Sequence, residues 1–417
     1  MKLLIIGGGI GGLVTALALH KAGIDVEIFE QSQELRELGV GINLLPHAVK
    51  ELAALGLLPA LDEAGIRTRE LIYLNRHGQV VWRELRGLDA GYDVPQISIH
   101  RGRLQGVLLK AVRERLGPER IHADRRFVDL AEKPGKVTAF LENRAGERFE
   151  TAGDGLIGCD GIHSRVRALF YPQEGPLLWS GIMLWRGCTA WPVHEDGRTM
   201  VIAGGNAAKF VFYPIHHDPA RPGQRLTNWA IMARVADGTE PPSRREDWNA
   251  VGRIEEACAF VEDSFRLGFI EPKKIIEATG VFYEYPNCDR DPVERWSFGR
   301  VTLLGDAAHA MYPVGSNGAS QAILDAAALA RHLAATPDVE AAFAAYDGER
   351  RPMTADIVRA NRRGGPEGVI DVVEARAPDG FDDIDKVASY AEREAIVRGY
   401  ASKAGYAKDQ VNRAGAR

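Results

Sequence analysis

The chain has 417 residues, 45% hydrophobic and 26% charged, with a formal net charge of −5. That is an ordinary globular composition, and the length calls for more than one hydrophobic core. Lys and Arg are dispersed without a basic block, which argues against a nucleic-acid partner, and no apolar run reaches the roughly 18 residues of a membrane helix.

The apolar start at residues 3–6 is too short for a signal peptide and runs straight into glycines, so a cytoplasmic protein is expected. Cys159, Cys188, Cys258 and Cys288 stand far apart with no CxxC spacing. Neither disulfides nor a metal site is expected from them.

In chain order, residues 2–6 read as a buried parallel strand, 7–12 as a glycine loop, 13–22 as a helix stopped by Gly23, and 25–29 as a second strand ending at Glu30. Residues 46–58 have the spacing of an amphipathic helix broken at Gly56, and 103–116 that of a helix stopped by Gly117. Past Pro172–Pro176 the texture changes. Short β-prone runs at 182–185, 199–202, 209–213 and 226–232 alternate with turn residues and predict an antiparallel sheet. Residues 248–265 read as a helix, 300–304 as another buried strand, and 318–333 and 343–361 as helices. Residues 374–386 are acidic and carry Pro378 and Gly380, and 388–411 are helix-prone but weakly patterned.

Gly7, Gly9 and Gly12 form G-x-G-x-x-G between a strand and a helix. The first glycine permits a tight turn, the second the approach of a pyrophosphate, the third close helix–strand packing. Amides at the helix start, including those of Gly11 and Gly12, favour anionic phosphates. Glu30 ends the second strand, where a carboxylate can accept from an adenosine ribose. A carboxylate there disfavours a 2′-phosphate and leaves FAD or NAD.

Two further segments favour FAD. Gly158-Cys159-Asp160-Gly161 and Gly305-Asp306-Ala307-Ala308-His309 each end a buried apolar run at an aspartate among small residues, suited to a polyhydroxyl chain. Glycines beyond Asp306 reach a helix start at Gly318, where a helix N-terminus would stabilise charge on a reduced flavin.

With these three fingerprints in this order, residues 1–365 resemble the single-component FAD-dependent aromatic hydroxylases built like p-hydroxybenzoate hydroxylase. Within that family, Gly39-Val40-Gly41-Ile42-Asn43, Ser98-Ile99-His100-Arg101-Gly102, Trp185-Arg186-Gly187 and residues 317–325 are most similar to 5-methylphenazine-1-carboxylate monooxygenases, and more loosely to salicylate and 3-hydroxybenzoate hydroxylases.

The resemblance implies an α/β, two-domain fold: a Rossmann-like FAD-binding domain with a parallel sheet, an inserted antiparallel-sheet substrate domain and a C-terminal helical segment. The expected division assigns 1–70, 101–175 and 276–365 to FAD binding, 71–100 to substrate-side strands, 176–275 to the substrate domain and 366–417 to the C-terminal segment. Cofactor contacts are implied at Gly7, Gly9, Gly11, Gly12, Glu30, Gln31, Arg101, Gln105, Val128, Asp160, Gly305, Asp306, Pro313, Gly318 and Ala319. The implied reaction uses NADH or NADPH as a transient electron donor and O2 as co-substrate, through a flavin C4a-hydroperoxide.

No second G-x-G-x-x-G exists for the nicotinamide cofactor. Substrate-side candidates are Trp185, Arg186, Phe212, Tyr213 and Tyr312. No catalytic residue is certain, since the flavin carries the chemistry, but Tyr213, Tyr312 and Pro313 are the candidates. His309 and His163 read more readily as structural histidines than as bases. A small aromatic partner and a monomer or homodimer are expected. A same-fold flavin oxidase or reductase, or a flavin-binding sequestration protein without turnover, is the alternative.

Overall fold

The computed structural model describes all residues except 35–38, 243, 245–246, 248–249, 263 and 414–417. Its first half is organised by the strand Lys2–Ile6, whose residues Leu3, Leu4 and Ile5 are fully buried. A strand apolar on both faces needs cover on both faces, as a parallel sheet provides. Lys2–Ile6 pairs in parallel with Asp25–Phe29 on one side and Gly155–Gly158 on the other. The six-stranded sheet runs Ser297–Phe298, Val301–Leu303, Gly155–Gly158, Lys2–Ile6, Asp25–Phe29, Ile121–His122. Only the edge strand Ser297–Phe298 is antiparallel to its neighbour.

The helix Ile10–Lys21 begins earlier than the periodicity suggested, inside the glycine loop. Its start packs so tightly that a Cβ on Gly12 would lie 2.0 Å from the Gly7 carbonyl oxygen. Gly7 itself has φ +109°, and a Cβ there would meet the Cys159 carbonyl at 2.4 Å. Close backbone approach, rather than side-chain chemistry, fixes two of the three fingerprint glycines.

The second large sheet has seven strands in the order Tyr283–Asp289, Leu178–Pro192, Gln224–Arg234, Ala208–His216, Thr199–Ala203, Glu70–Leu74, Val80–Leu85. All neighbouring pairs are antiparallel except Thr199–Ala203 with Glu70–Leu74. Strand alternation divides its residues between two cores. Trp185, Phe210, Phe212, Trp229 and Ile231 face a core capped by the helices Ile254–Ala259 and Pro272–Glu277. Leu184, Met200, Ile202, Val211, Tyr213 and Ala230 face the opposite way, where Val369, Ile370, Val373 and Val397 of the C-terminal helices cover part of them.

Three expectations change. The helix read at 248–265 is helical only over Ile254–Ala259, and residues 248, 249 and 263 lie outside the described residues. Its apolar residues are spent on capping the sheet core from an irregular chain. The strand Tyr283–Asp289, with Pro286 and Asp289 in it, breaks apolar alternation and was not expected. The helix expected over 46–58 ends at Ala54; the break expected at Gly56 is there, at φ +72°, and a separate helix Leu58–Ala64 follows it.

Candidate active site

The two sheets meet at a cavity of about 320 Å³. Its nucleotide side is made of backbone turns at the carboxyl ends of the parallel strands: Gly9 and Gly11, Cys159 and Gly161, Gly305 and Asp306. Its other wall is one face of the seven-stranded sheet, read with period two: Leu184 and Arg186, Met200 and Ile202, Val211 and Tyr213, Asn228, Ala230 and Met232, Tyr285 and Asn287. The loop Pro313–Ala319 closes one end.

Two helices start at this cavity without using up their own amides. Ile10–Lys21 and Gly318–Ala335 have no acidic residue in the first turn and no side-chain cap hydrogen bond. Orphan amides at a helix N-terminus carry partial positive charge and suit an anion or a polarised carbonyl. Glu30 braces the first of these turns. Its carboxylate accepts from the Gly8 amide at 2.7 Å and the Ser32 amide at 2.8 Å, while Gln105 Nε2 donates to the Gly8 carbonyl at 3.2 Å.

Under the Gly305–Asp306 turn lies a buried polar network. His309 Nε2 and Asp325 Oδ2 are 2.5 Å apart, Arg350 Nε donates to Asp325 Oδ1 at 2.8 Å, and the Gly305 amide donates to Asp325 at 3.2 Å. His309 and Arg350 hold the Asp325 carboxyl below its usual range, against the opposing effect of burial. His309 is thereby held, buried, beneath the turn.

Arg186 is the cation that the sheet face turns into the cavity. Burial first, and the nearby Arg101 charge second, push its guanidinium down from the usual arginine range. Burial at this position thus disfavours the charged form of the guanidinium. Burial also pushes the Tyr213 phenol well up, so it stays protonated and can donate a hydrogen bond.

The FAD binding domain family matches residues 1–262 and 283–361. The chain belongs to this family. It is 43% identical to the phenazine 1,6-dicarboxylic acid hydroxylase PhzS of Lysobacter antibioticus, over 86% of this chain and 89% of that one. It is 28% identical to a 3-hydroxybenzoate 6-hydroxylase of Klebsiella oxytoca, over 88% of each. Klebsiella pneumoniae HpxO complexed with FAD and uric acid shares the fold, with a TM-score of 0.74 at 23% identity over 97% and 96% of the two chains. The protein is an FAD-dependent aromatic hydroxylase using NAD(P)H and O2.

The residues of this hydroxylase fit the flavin nucleotide. A Cβ on Gly9 or Gly318 would meet nothing within 4 Å, so both leave room at helix starts, and Asp306 is exposed on the cavity lining. Of the residues nominated from sequence, the cavity brings together Gly9, Gly11, Arg101, Gly305, Asp306, Pro313, Gly318 and Ala319 with Arg186 and Tyr213.

Others stand elsewhere. Gly7, Gly12, Glu30 and Gln105 shape the glycine loop from behind. Gln31 is exposed, and Val128 is an exposed residue of the strand Arg126–Lys133; neither lines the cavity. The Asp160 carboxylate is occupied locally, accepting from the Ser164 hydroxyl and the Arg165 and Val166 amides, which caps the helix Arg165–Phe170.

Three nominations need correction. Trp185 and Phe212 sit one residue out of phase with Arg186 and Tyr213, and therefore point into the opposite core. Tyr312 is buried with its hydroxyl 3.5 Å from the Leu178 carbonyl, behind the cavity lining. Sequence reading missed Asn43, Asn228, Tyr285, Asn287 and Glu367 on the lining. Asn228 was legible in hindsight: it lies two positions from Ala230 on a recognised strand. Tyr285 and Asn287 were not, because their strand was not recognised.

Among the described residues no helix is long and apolar enough to cross a membrane. Cys159 is a lining residue, and desolvation together with the Asp160 charge pushes its thiol well up, so it remains a neutral thiol.

Proposed function

We propose that the hydroxylase acts on a planar aromatic or heteroaromatic carboxylate of the phenazine-carboxylate class. The carrying observation is the composition of the sheet wall. The wall that carries Arg186 is apolar over Leu184, Met200, Ile202, Val211, Ala230 and Met232, with Tyr213, Asn228, Tyr285 and Asn287 as its other polar groups, and the relative at 43% identity is named for a phenazine dicarboxylic acid. A broad apolar face suits a fused ring, and one guanidinium suits its carboxylate through paired N–H donors. Tyr213 then donates to a ring substituent or heteroatom.

In this reading Gly9, Gly11 and the first turn of Ile10–Lys21 would hold the pyrophosphate, Asp306 would accept from the ribityl hydroxyls, and the amides of Gly318 and Ala319 would serve the isoalloxazine ring. Reduced FAD supplies the activated oxygen. The chain's own work is to hold the substrate ring between the sheet wall and the flavin and to keep water out. Glu30 keeps the glycine loop in shape, and Asp325, His309 and Arg350 do the same for the Gly305–Asp306 turn.

The test is a panel of phenazine, benzoate, salicylate and quinoline carboxylic acids with their neutral amides. Hydroxylated product is scored by mass, because NAD(P)H oxidation alone also reports peroxide release. Product from the fused-ring acids but not their amides supports the reading. Equal turnover of acid and amide removes the role of Arg186 and with it the substrate class. Asp306→Ala is expected to lose flavin on purification, and full flavin content in that variant would refute its ribityl role.

A further inference from the structure

We infer that the C-terminal segment is part of the flavin site, with Tyr400 and Glu367 as positioning residues that hold the loop 313–318. The inference is independent of the substrate class. It concerns residues beyond position 361, where the family match ends.

The loop needs holding. Gly315 and Ser316 stand in succession at φ +67° and +56°. A serine rarely adopts that conformation, and it persists where surrounding contacts impose it. The next residue, Asn317, precedes the helix Gly318–Ala335, whose first turn opens on the cavity. Any tilt of the loop therefore re-aims those amides.

The holders come from residues 367–404. The Tyr400 hydroxyl accepts from Asn317 Nδ2 at 2.9 Å and donates to Asn361 Oδ1 at 2.7 Å. Its ring packs beneath Gly315 so closely that a Cβ there would be 2.7 Å from the ring atoms. The Ala404 carbonyl accepts from Gln321 Nε2 at 3.1 Å, and Gln321 in turn donates to Asn317 Oδ1 at 3.1 Å. Glu367 takes the other side. One carboxylate oxygen accepts from the Gly315 amide at 3.1 Å, and the second is ion-paired to Lys209 of the strand Ala208–His216. Both partners of that pair are buried, and Glu367 lines the cavity.

Sheet wall, carboxylate and flavin loop are thus joined through one residue of the C-terminal segment. Groups that present a cofactor must be fixed to within a fraction of an ångström, and buried hydrogen bonds from a second layer are how that is done.

The experiment uses full-length holoenzyme. Tyr400→Phe keeps the ring and deletes the hydroxyl's bonds to Asn317, Asn361 and the Val314 carbonyl. Glu367→Gln keeps an acceptor for Gly315 but leaves Lys209 without its counter-charge, and the double variant with Lys209→Met removes that orphan. Arg376→Ala is the control, since it breaks an exposed pair with Glu392 inside the same segment and touches no loop residue.

The readouts are visible circular dichroism of the bound flavin, FAD affinity of the apoprotein, and peroxide formed per NAD(P)H oxidised. Tyr400→Phe is expected to weaken FAD roughly threefold to tenfold, to alter the flavin spectrum and to raise the peroxide fraction. Arg376→Ala should leave all three unchanged. A parental spectrum and FAD affinity in Tyr400→Phe, or a fall in melting temperature without them, overturns the inference. If Tyr400→Phe does not accumulate, the Glu367 variants decide: FAD affinity weakened in both Glu367→Gln and its double variant with Lys209→Met supports it, and parental affinity in the double variant overturns it.

Discussion

The two walls of the cavity are built on opposite principles. The nucleotide wall offers backbone: turns at the ends of parallel strands, with glycines where a Cβ would strike a carbonyl 2.0 to 2.4 Å away. The sheet wall offers side chains, chosen by strand phase, with Arg186 and Tyr213 on one face and Trp185 and Phe212 on the other. The first kind of wall fails as a whole when one atom is added. The second can be edited one residue at a time, which is why one cofactor site can serve many substrates.

The most severe test of that contrast is Gly12→Ala. The methyl would have to displace the Gly7 backbone itself. Overpacking typically costs about 1–3 kcal/mol and more where backbone must move. Colourless protein with little soluble yield is expected, read from flavin absorbance per mole of chain. A yellow, stable Gly12→Ala protein would show that the close approach is not required.

Phase on the sheet wall gives the next pair. Trp185→Ala should cost about 3–5 kcal/mol of stability by emptying the core beneath the sheet, measured by denaturant titration of the holoenzyme. The KM of the molecules still folded should not change. Its neighbour behaves in reverse. Arg186→Met should raise the KM for a carboxylated substrate by roughly tenfold to a hundredfold, as losing a charged hydrogen bond of about 1.5–3 kcal/mol implies, with flavin content and melting temperature near the parent's. If both variants changed KM alike, the alternation would not be what divides packing from recognition.

The same contrast explains what was legible in the sequence. The nucleotide wall is local. Strand, glycine loop, helix and Glu30 lie within thirty residues, and each demands particular residue types, so Gly9, Gly11, Gly305, Asp306 and Gly318 could be nominated directly. The substrate strands could be recognised, but the face of each residue depends on what packs behind the sheet. Trp185 and Phe212 were nominated as aromatic walls for a planar ring, when phase should have decided. The strand Tyr283–Asp289 is covered on both faces, with a proline in it, and carries no alternating signal at all. The contacts of the C-terminal segment with the flavin loop run across more than eighty residues, from Asn317 to Tyr400, and leave no local pattern.

The smallest effect should appear in acid, and on the nucleotide side. His47 lies in the helix Pro46–Ala54, with Nε2 3.4 Å from Nε2 of Gln321 in the helix that starts at the flavin loop. Burial chiefly, and the Arg350 charge next, lower its imidazole from 6.5 to about 3. The sign follows from linkage. The unfolded chain binds a proton below pH 6.5 that the folded chain refuses until about pH 3, so the fold is favoured above 6.5 and loses stability as pH falls between those values. One such group contributes at most about 1.4 kcal/mol per pH unit. His47→Asn removes the titrating group at the cost of some packing. Its stability difference from the parent should therefore narrow steadily from pH 7 to pH 5 in parallel urea titrations. The cationic group pushed down on the sheet wall, Arg186, titrates far to the alkaline side and contributes nothing in that window. A difference between the two proteins that stays constant with pH would mean that His47 is protonated in the fold, and that acid acts on some other part of the molecule.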